Sequence, residues 1–591
     1  MPSGDKIPLK TFLDSVEQRL SACSADELRA IIRSMTQIIP PSKRGVFLEQ
    51  LNISPETITA AKQVLQEDLL AEIMDLMDEL EAAMDDAEEP YEDYGYEYRY
   101  GYVDYGEEDV TLPYEEFIEP LQELFAKAEA AYDYGDLALA RDAYQSLSEV
   151  LDLEDDYGGG LGIEHLEGVD RDEASARYLR AVYETEQLPD RPPALYAAML
   201  NMCSWVTGQR PMLQNILQIS QESPPDLEQF FTGWIAFLRE IAGKEADAWL
   251  REAIRLSQGL PGLETLARSE GKNRPHAYLD WFSALEQAGR HSEVLAGAQE
   301  ALQILPEKLP IRAAVADYLC KAAQEVNEPE ALHAGRREAF AATPTLNRLL
   351  DLWQVYPEES ERARQMLQAA QYAEDYIAER SDRGIDAQDL PEGYVWIDSS
   401  VRVHALLLAG DWQTARPLVA DQPVLGWGSS SKTQGLVLAF LLVLLSARSP
   451  DTLPQNLSLL WNDRLQFTLG YGFNLGDHAQ ESNVAERLKQ AYAEIFPRLS
   501  ASGAGESEAM DWCLNVANRR VNAIVGGQKR GSYGKAATLI TACAEALHLR
   551  GKAAEANELL GQVRNRFPRH RSFQSEMKAA MHRMELSLGR R

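Results

Sequence analysis

FAKAEAAYDYGDLALARDAYQSL, running from Phe125 to Leu147, is two helical runs broken at Gly135. Past the break, Ala140, Tyr144 and Leu147 recur at the four- and three-residue steps that line one face of a helix. The stretch reads as two antiparallel helices joined by a glycine turn.

The same pattern returns along the chain. LRGKAAEANELLGQVRNRFP carries Gly551, Ala556, Leu560 and a closing Pro568, and LEQAGRHSEVLAGAQEALQILP carries Gly289, Ala298, Ala301 and Pro306. LLLAGDWQTARPLV has Gly410 and Ala415, and a looser copy, AGKEADAWLREAI, surrounds Gly243. These hairpins resemble tetratricopeptide repeats over about a quarter of the chain. The resemblance implies a glycine that opens the turn, an alanine that lets two helices approach, an aromatic in the groove, and peptide or protein binding along a concave face. The four closer copies lie 154, 121 and 141 residues apart, not the roughly 34 of a tandem array. The expected fold is therefore all-α, an irregular α-solenoid of tetratricopeptide-like hairpins with other helices filling the gaps.

Outward from the hairpins, five regions are expected. Residues 1–86 form an N-terminal helical domain, with a capping box at Ser24-Ala-Asp-Glu27, a stop at Pro40-Pro41 and a long acidic helix starting at Pro55. Residues 87–113 are an acidic tyrosine-rich linker or loop. Residues 114–380 and 381–505 are helical-repeat regions, and 506–591 a basic helical cap. Breakers cluster at Leu188–Pro193, Ser381–Gly393 and Ser500–Glu508. The apolar run LVLAFLLVLL, Leu436 to Leu445, is about half of the roughly 20 residues that a membrane span needs, so it reads as a helix buried on all sides.

The formal charge is -36, which argues against general nucleic-acid binding, because that binding draws on Lys and Arg displacing counterions. The charge is uneven: Arg519–Arg591 carries fifteen Lys and Arg against five Glu. Five scattered cysteines with no CxxC pair fit reduced thiols in a cytoplasmic protein. No membrane association and no cofactor are expected.

No strong catalytic motif is present. The nine histidines never pair at helical zinc spacing. Asp152–Gly158 lacks the glycine and the closing glutamate of a calcium loop. Gly158-Gly159-Gly160-Leu161-Gly162 lacks the ending of a phosphate loop and reads as a flexible turn. Residues 91–200, with GYVDYG followed later by LDLEDDYGGGLGIEHL, also resemble the helical region beside the SWIM zinc finger of some bacterial proteins. The chain has no C-x-C with C-x-H, so zinc binding does not carry over.

Two candidate partner sites remain. Tyr91, Tyr94, Tyr96, Tyr98, Tyr100, Tyr102 and Tyr105 alternate with acids, a pattern suited to a partner with a basic surface; a short hairpin, YEYRYGYV, is the alternative reading of the backbone. Arg564, Arg566, Arg569 and Arg571 form a basic C-terminal patch, to dock on the acidic body, hold an acidic protein or touch nucleic acid. Trp412 and Trp427 are expected as exposed aromatic anchors. The expected role is a scaffold, adaptor or regulator for another protein, not an enzyme. The alternatives are an acidic decoy for a nucleic-acid-binding protein and an enzyme with a site built from remote residues.

Overall fold

A computed structural model describes residues 55–85, 114–155, 159–381 apart from 209, 221 and 308, 400–428, 431–467, 484–499 and 504–588, with a few positions between 15 and 32. The tyrosines from Tyr91 to Tyr105, the Pro40-Pro41 stop, Glu27 of the capping box and nearly all of the Ser381–Gly393 break lie outside the described residues. Among those described, all regular structure is helical, in two compact units, Met1–Leu263 and Glu264–Arg591.

The first unit begins with α1 (Pro55–Asp85), α2 (Ile118–Asp133) and α3 (Leu137–Leu151). Proline opens α1 because its missing N–H is not needed there. The α2–α3 hairpin is the one read at Phe125–Leu147. Gly135 takes φ 76 and the N–H of Asp136 reaches back to the Ala131 carbonyl at 2.9 Å. This closes α2 with a left-handed turn that glycine adopts without steric cost. Asp136 then caps α3 by accepting the N–H of Leu139. Ala128, Ala140 and Ala143 are fully buried between the helices, and the Phe125 ring meets Tyr144 at 6.2 Å and Trp205 at 5.4 Å. Beyond them come α4 (Arg171–Thr185), α5 (Arg191–Asn201), α6 (Leu213–Gln218), α7 (Leu227–Glu240) and α8 (Lys244–Glu270). The unit boundary falls inside α8, just past Gly259, whose φ 62 and ψ -150 break the helix, and Pro261. Of the turn expected at Gly158–Gly162, Gly158 lies outside the described residues. Gly159 donates to Asp155 Oδ1 at 2.7 Å, and a side chain at Gly160 would strike the Leu153 carbonyl.

In the second unit, α9 (His276–Gln287), α10 (His291–Ile304), α11 (Arg312–Glu325), α12 (Pro329–Ala342) and α13 (Leu346–Val355) pack each on the next, as in a solenoid. The glycine turn recurs where expected. Arg290 reaches Leu285, Asp411 reaches Leu406 and Lys552 reaches Leu547, with Gly289, Gly410 and Gly551 at φ 69, 80 and 75. Gly243 differs: at φ 138 its carbonyl starts α8, accepting from Asp247 at 3.1 Å. A further copy has no glycine. Asn327 takes φ 58 between α11 and α12, and Glu328 bonds back to Ala323 at 2.8 Å. Asparagine tolerates this conformation better than most side chains.

After α14 (Glu359–Ser381), α15 (Ser400–Leu408) and α16 (Trp412–Val419), the packing ceases to be a simple stack. Helix α17 (Gln434–Ser446) holds the LVLAFLLVLL run, and each of its residues is buried. It is covered by α15, α16, α18 (Gln455–Phe467), α20 (Ala504–Val521) and α21 (Tyr533–Leu549), and α19 (Val484–Ile495) packs on α18. The all-apolar sequence is thus the counterpart of a helix with no free face. Gly505, Glu506 and Glu508, expected in a break, lie within α20. The chain ends in α22 (Ala553–Arg566) and α23 (Arg571–Leu588), both packed on α21 or its flanks.

Candidate functional site

The basic turn between α22 and α23 is held rigidly from beneath. Phe567 is buried, with its ring 5.8 Å from Phe573 and 5.5 Å from His570, both near-perpendicular. Gln574 clamps the turn by donating to the Arg564 and Phe567 carbonyls at 2.9 and 3.1 Å. Arg564, Arg566, Arg569 and Arg571 are all exposed around it. Arg566 is steadied by Asn522 Oδ1 at 2.9 Å and Asn518 Oδ1 at 3.4 Å, and Arg564 by Gln574 at 3.4 Å. None of the four meets a carboxylate within ion-pair distance among the described residues. Docking of this patch on the chain's own acids finds no such contact there, and four guanidiniums remain turned to solvent.

The expected tryptophan anchors are corrected. Trp412 and Trp427 are only 6% and 3% exposed. Trp412 opens α16 facing the core, beside Gly505 of α20. Trp427 packs in where Gly435, the second residue of α17, leaves room: a Cβ there would stand 2.7 Å from the indole. A glycine-flanked loop gave no sign of this.

Around Trp427 lies a feature that the one-dimensional pattern concealed. Arg520, at the end of α20, places its guanidinium carbon 3.9 Å from the Trp427 ring centre, and Arg464, near the end of α18, is 5.6 Å from it. Arg464 donates to the Trp427 carbonyl at 2.6 Å and pairs with Asp463, while Arg520 donates to the Val424 carbonyl. Both arginines are more than nine-tenths buried. Burial, and then the charge of Arg464, pushes the Arg520 pKa down to about 10, with Asp463 opposing; it stays charged at neutral pH. Both side chains line an open cavity of about 370 Å³, together with Leu459 and Leu460 of α18 and the first turns of α21. Their distance in sequence, with no motif around either, is why they were missed.

No protein-family model matches the chain, and no curated protein matches it.

Several further titratable groups are enclosed in the helical core. Cys320, Cys513 and Cys543 are buried, none of the five cysteines is in a disulfide, and burial pushes the Cys320 and Cys543 thiols up to about 12. Such thiols are poor nucleophiles at neutral pH. His404 is wholly buried against the Tyr492 hydroxyl, at 2.7 Å, and burial lowers its pKa to about 3. Among the described residues no three His, Cys, Asp or Glu side chains converge as metal ligands, and no helix is long and apolar enough to cross a membrane.

Proposed function

We propose that this chain is a helical scaffold for another protein, and that its basic end receives an acidic surface of that partner. The observation carrying the reading is the α22–α23 turn, where four exposed arginines on a pre-shaped backbone have no described carboxylate to answer them. Arginine forks suit carboxylates, and a fixed turn spends little entropy on presenting them. The likeness of the hairpins to tetratricopeptide repeats points the same way. The acidic tyrosine-rich segment, Tyr91 to Tyr105, offers a second contact of opposite charge.

The test is capture of partners by three baits: the full chain, one with Arg564, Arg566, Arg569 and Arg571 changed to Gln, and one lacking residues 85–113. A stoichiometric protein lost with the arginines, and recovered less well as salt rises, supports the scaffold reading. A partner retained by the glutamine variant but lost with residues 85–113 moves the interface to the tyrosines. Competition by DNA for that partner favours the decoy role instead.

A further inference from the structure

We infer, resting on the reading of the basic end as a partner site, that the acidic element received there is an extended peptide segment rich in Asp and Glu. Its path runs past the α22–α23 turn onto the loop that links α20 to α21.

That loop leaves α20 through a π-helical turn at Asn522–Gly526 and is held by its own backbone. The N–H groups of Gln528, Lys529 and Ser532 reach the Val525, Ile524 and Lys529 carbonyls at 3.1, 2.9 and 3.0 Å. Gln528 takes φ 54, and Lys529 and Arg530 beyond it are exposed. Two contacts join the loop to the basic turn. Tyr533, buried at the start of α21, sets its ring 6.5 Å from His570 and 5.9 Å from Phe573. Asn518 and Asn522, at the end of α20, hold Arg566, and the neighbouring Arg519 is exposed. Arg519, Lys529 and Arg530 thus stand with the four turn arginines at one end of the helices.

None of the three added cations has a carboxylate partner among the described residues. From Arg519 to Arg571 the chain has three acids: Glu545 caps α18, Glu555 pairs with Lys552, and Glu558 accepts from Gln562. Glu576, the next acid, approaches Gly534 on α21 and offsets one of the seven charges.

The chemistry of this end favours a flexible segment over a folded surface. Folded partners are held by an apolar centre with charges at the rim. Among the described residues, no large apolar side chain between Arg519 and Arg571 is exposed. Charge alone suits a segment too polar to fold by itself, whose carboxylates adapt to the places of the cations. A nucleic-acid strand would also find cations here, but the chain's charge of -36 opposes a long polyanion that reaches beyond this end. A short acidic segment confined to it meets no such opposition.

The probe is a fluorescein-labelled oligoglutamate peptide, titrated by anisotropy into the full chain at low ionic strength, with a single-stranded oligonucleotide of equal charge alongside. Saturable binding is expected for the peptide, tighter than for the oligonucleotide and weakening as salt rises. Lys529→Gln with Arg530→Gln should weaken it about fivefold, and Arg569→Gln with Arg571→Gln by about as much, each exposed ion pair being worth little alone. Neither pair of side chains forms a hydrogen bond or ion pair among the described residues, so both variants should keep the parent's melting temperature. Affinity unchanged by the Lys529 and Arg530 substitutions but lowered by those at Arg569 and Arg571 overturns the extended path and leaves the partner site at the turn intact. Binding that both variants leave unchanged puts the peptide elsewhere and overturns the inference. Absence of saturable peptide binding overturns the acidic-segment assignment, while a captured protein lost with the turn arginines would still uphold the scaffold reading with a folded partner. Tighter binding of the oligonucleotide overturns the peptide in favour of nucleic acid.

Discussion

Glu545, in the middle of α21, caps the start of α18 by accepting the N–H of Leu457 at 2.8 Å. Its other oxygen takes the side-chain amide of Asn456 at 2.7 Å and that residue's N–H at 3.3 Å. The residue before α18 is Pro454, which has no side-chain acceptor, so the cap comes from 88 positions away along the chain. Glu252 does the same in the first unit, accepting from Leu213 at 2.9 Å and Gln214 at 3.0 Å at the start of α6. Removing the acceptor strands buried donors, so Glu545→Ala should cost about 3 kcal/mol in chemical denaturation, and Glu545→Gln less, since one oxygen is kept. A loss below about 0.5 kcal/mol in Glu545→Ala would contradict this role.

His404 sets an acid limit. Its folded pKa, about 3, lies below the unfolded value of 6.5, so the fold favours the neutral ring. The stability it permits is complete above pH 6.5 and is lost as pH falls from there towards 3. The slope is up to about 1.4 kcal/mol per pH unit for one proton. His404→Phe should flatten that part of the stability–pH curve; an unaltered slope would assign it to other groups.

Two glycines separate conformation from space. Gly551 has open surroundings but φ 75, so Gly551→Ala should destabilise by about 1–2 kcal/mol through backbone strain alone. Gly561 lies within α22, also with open surroundings, and Gly561→Ala should stabilise by about 0.5–1 kcal/mol. Thermal melts of the two variants should move in opposite directions.

The seat of Trp427 is tight from the other side. Gly435→Ala would put a methyl group 2.7 Å from the indole, and at a rigid helix start the ring must shift. A loss of about 1–3 kcal/mol is expected, and with it a change in the tryptophan emission spectrum. A neutral substitution would show that the loop yields.

The hairpin turns were legible because their signal is local. Gly135, Gly289, Gly410 and Gly551 all take the left-handed turn, and Ala140, Ala298, Ala415 and Ala556 are all fully buried. The apolar run in α17 was equally plain, since only a helix covered on every side has that composition. The turn at Asn327 was not, because asparagine also serves loops, caps and surfaces, and nothing nearby distinguishes those uses. The Trp427 cavity was invisible for a different reason. Arg464, Arg520 and Lys535 come from three helices, and basic residues near helix ends ordinarily face water.

The burial of α17 governs how this part of the chain can be divided. A helix without a solvent face has no stable place until neighbours on both sides of it in sequence have arrived, here α15 and α16 before it and α18, α20 and α21 after it. Residues 400–549 should therefore gain and lose order together, as one cooperative block, in contrast to the stepwise opening of a stacked array. Fragments ending within that interval would present LVLAFLLVLL to water and aggregate. Interaction mapping by truncation should therefore make no cut between Ser400 and Leu588, since α22 and α23 complete the cover of α21.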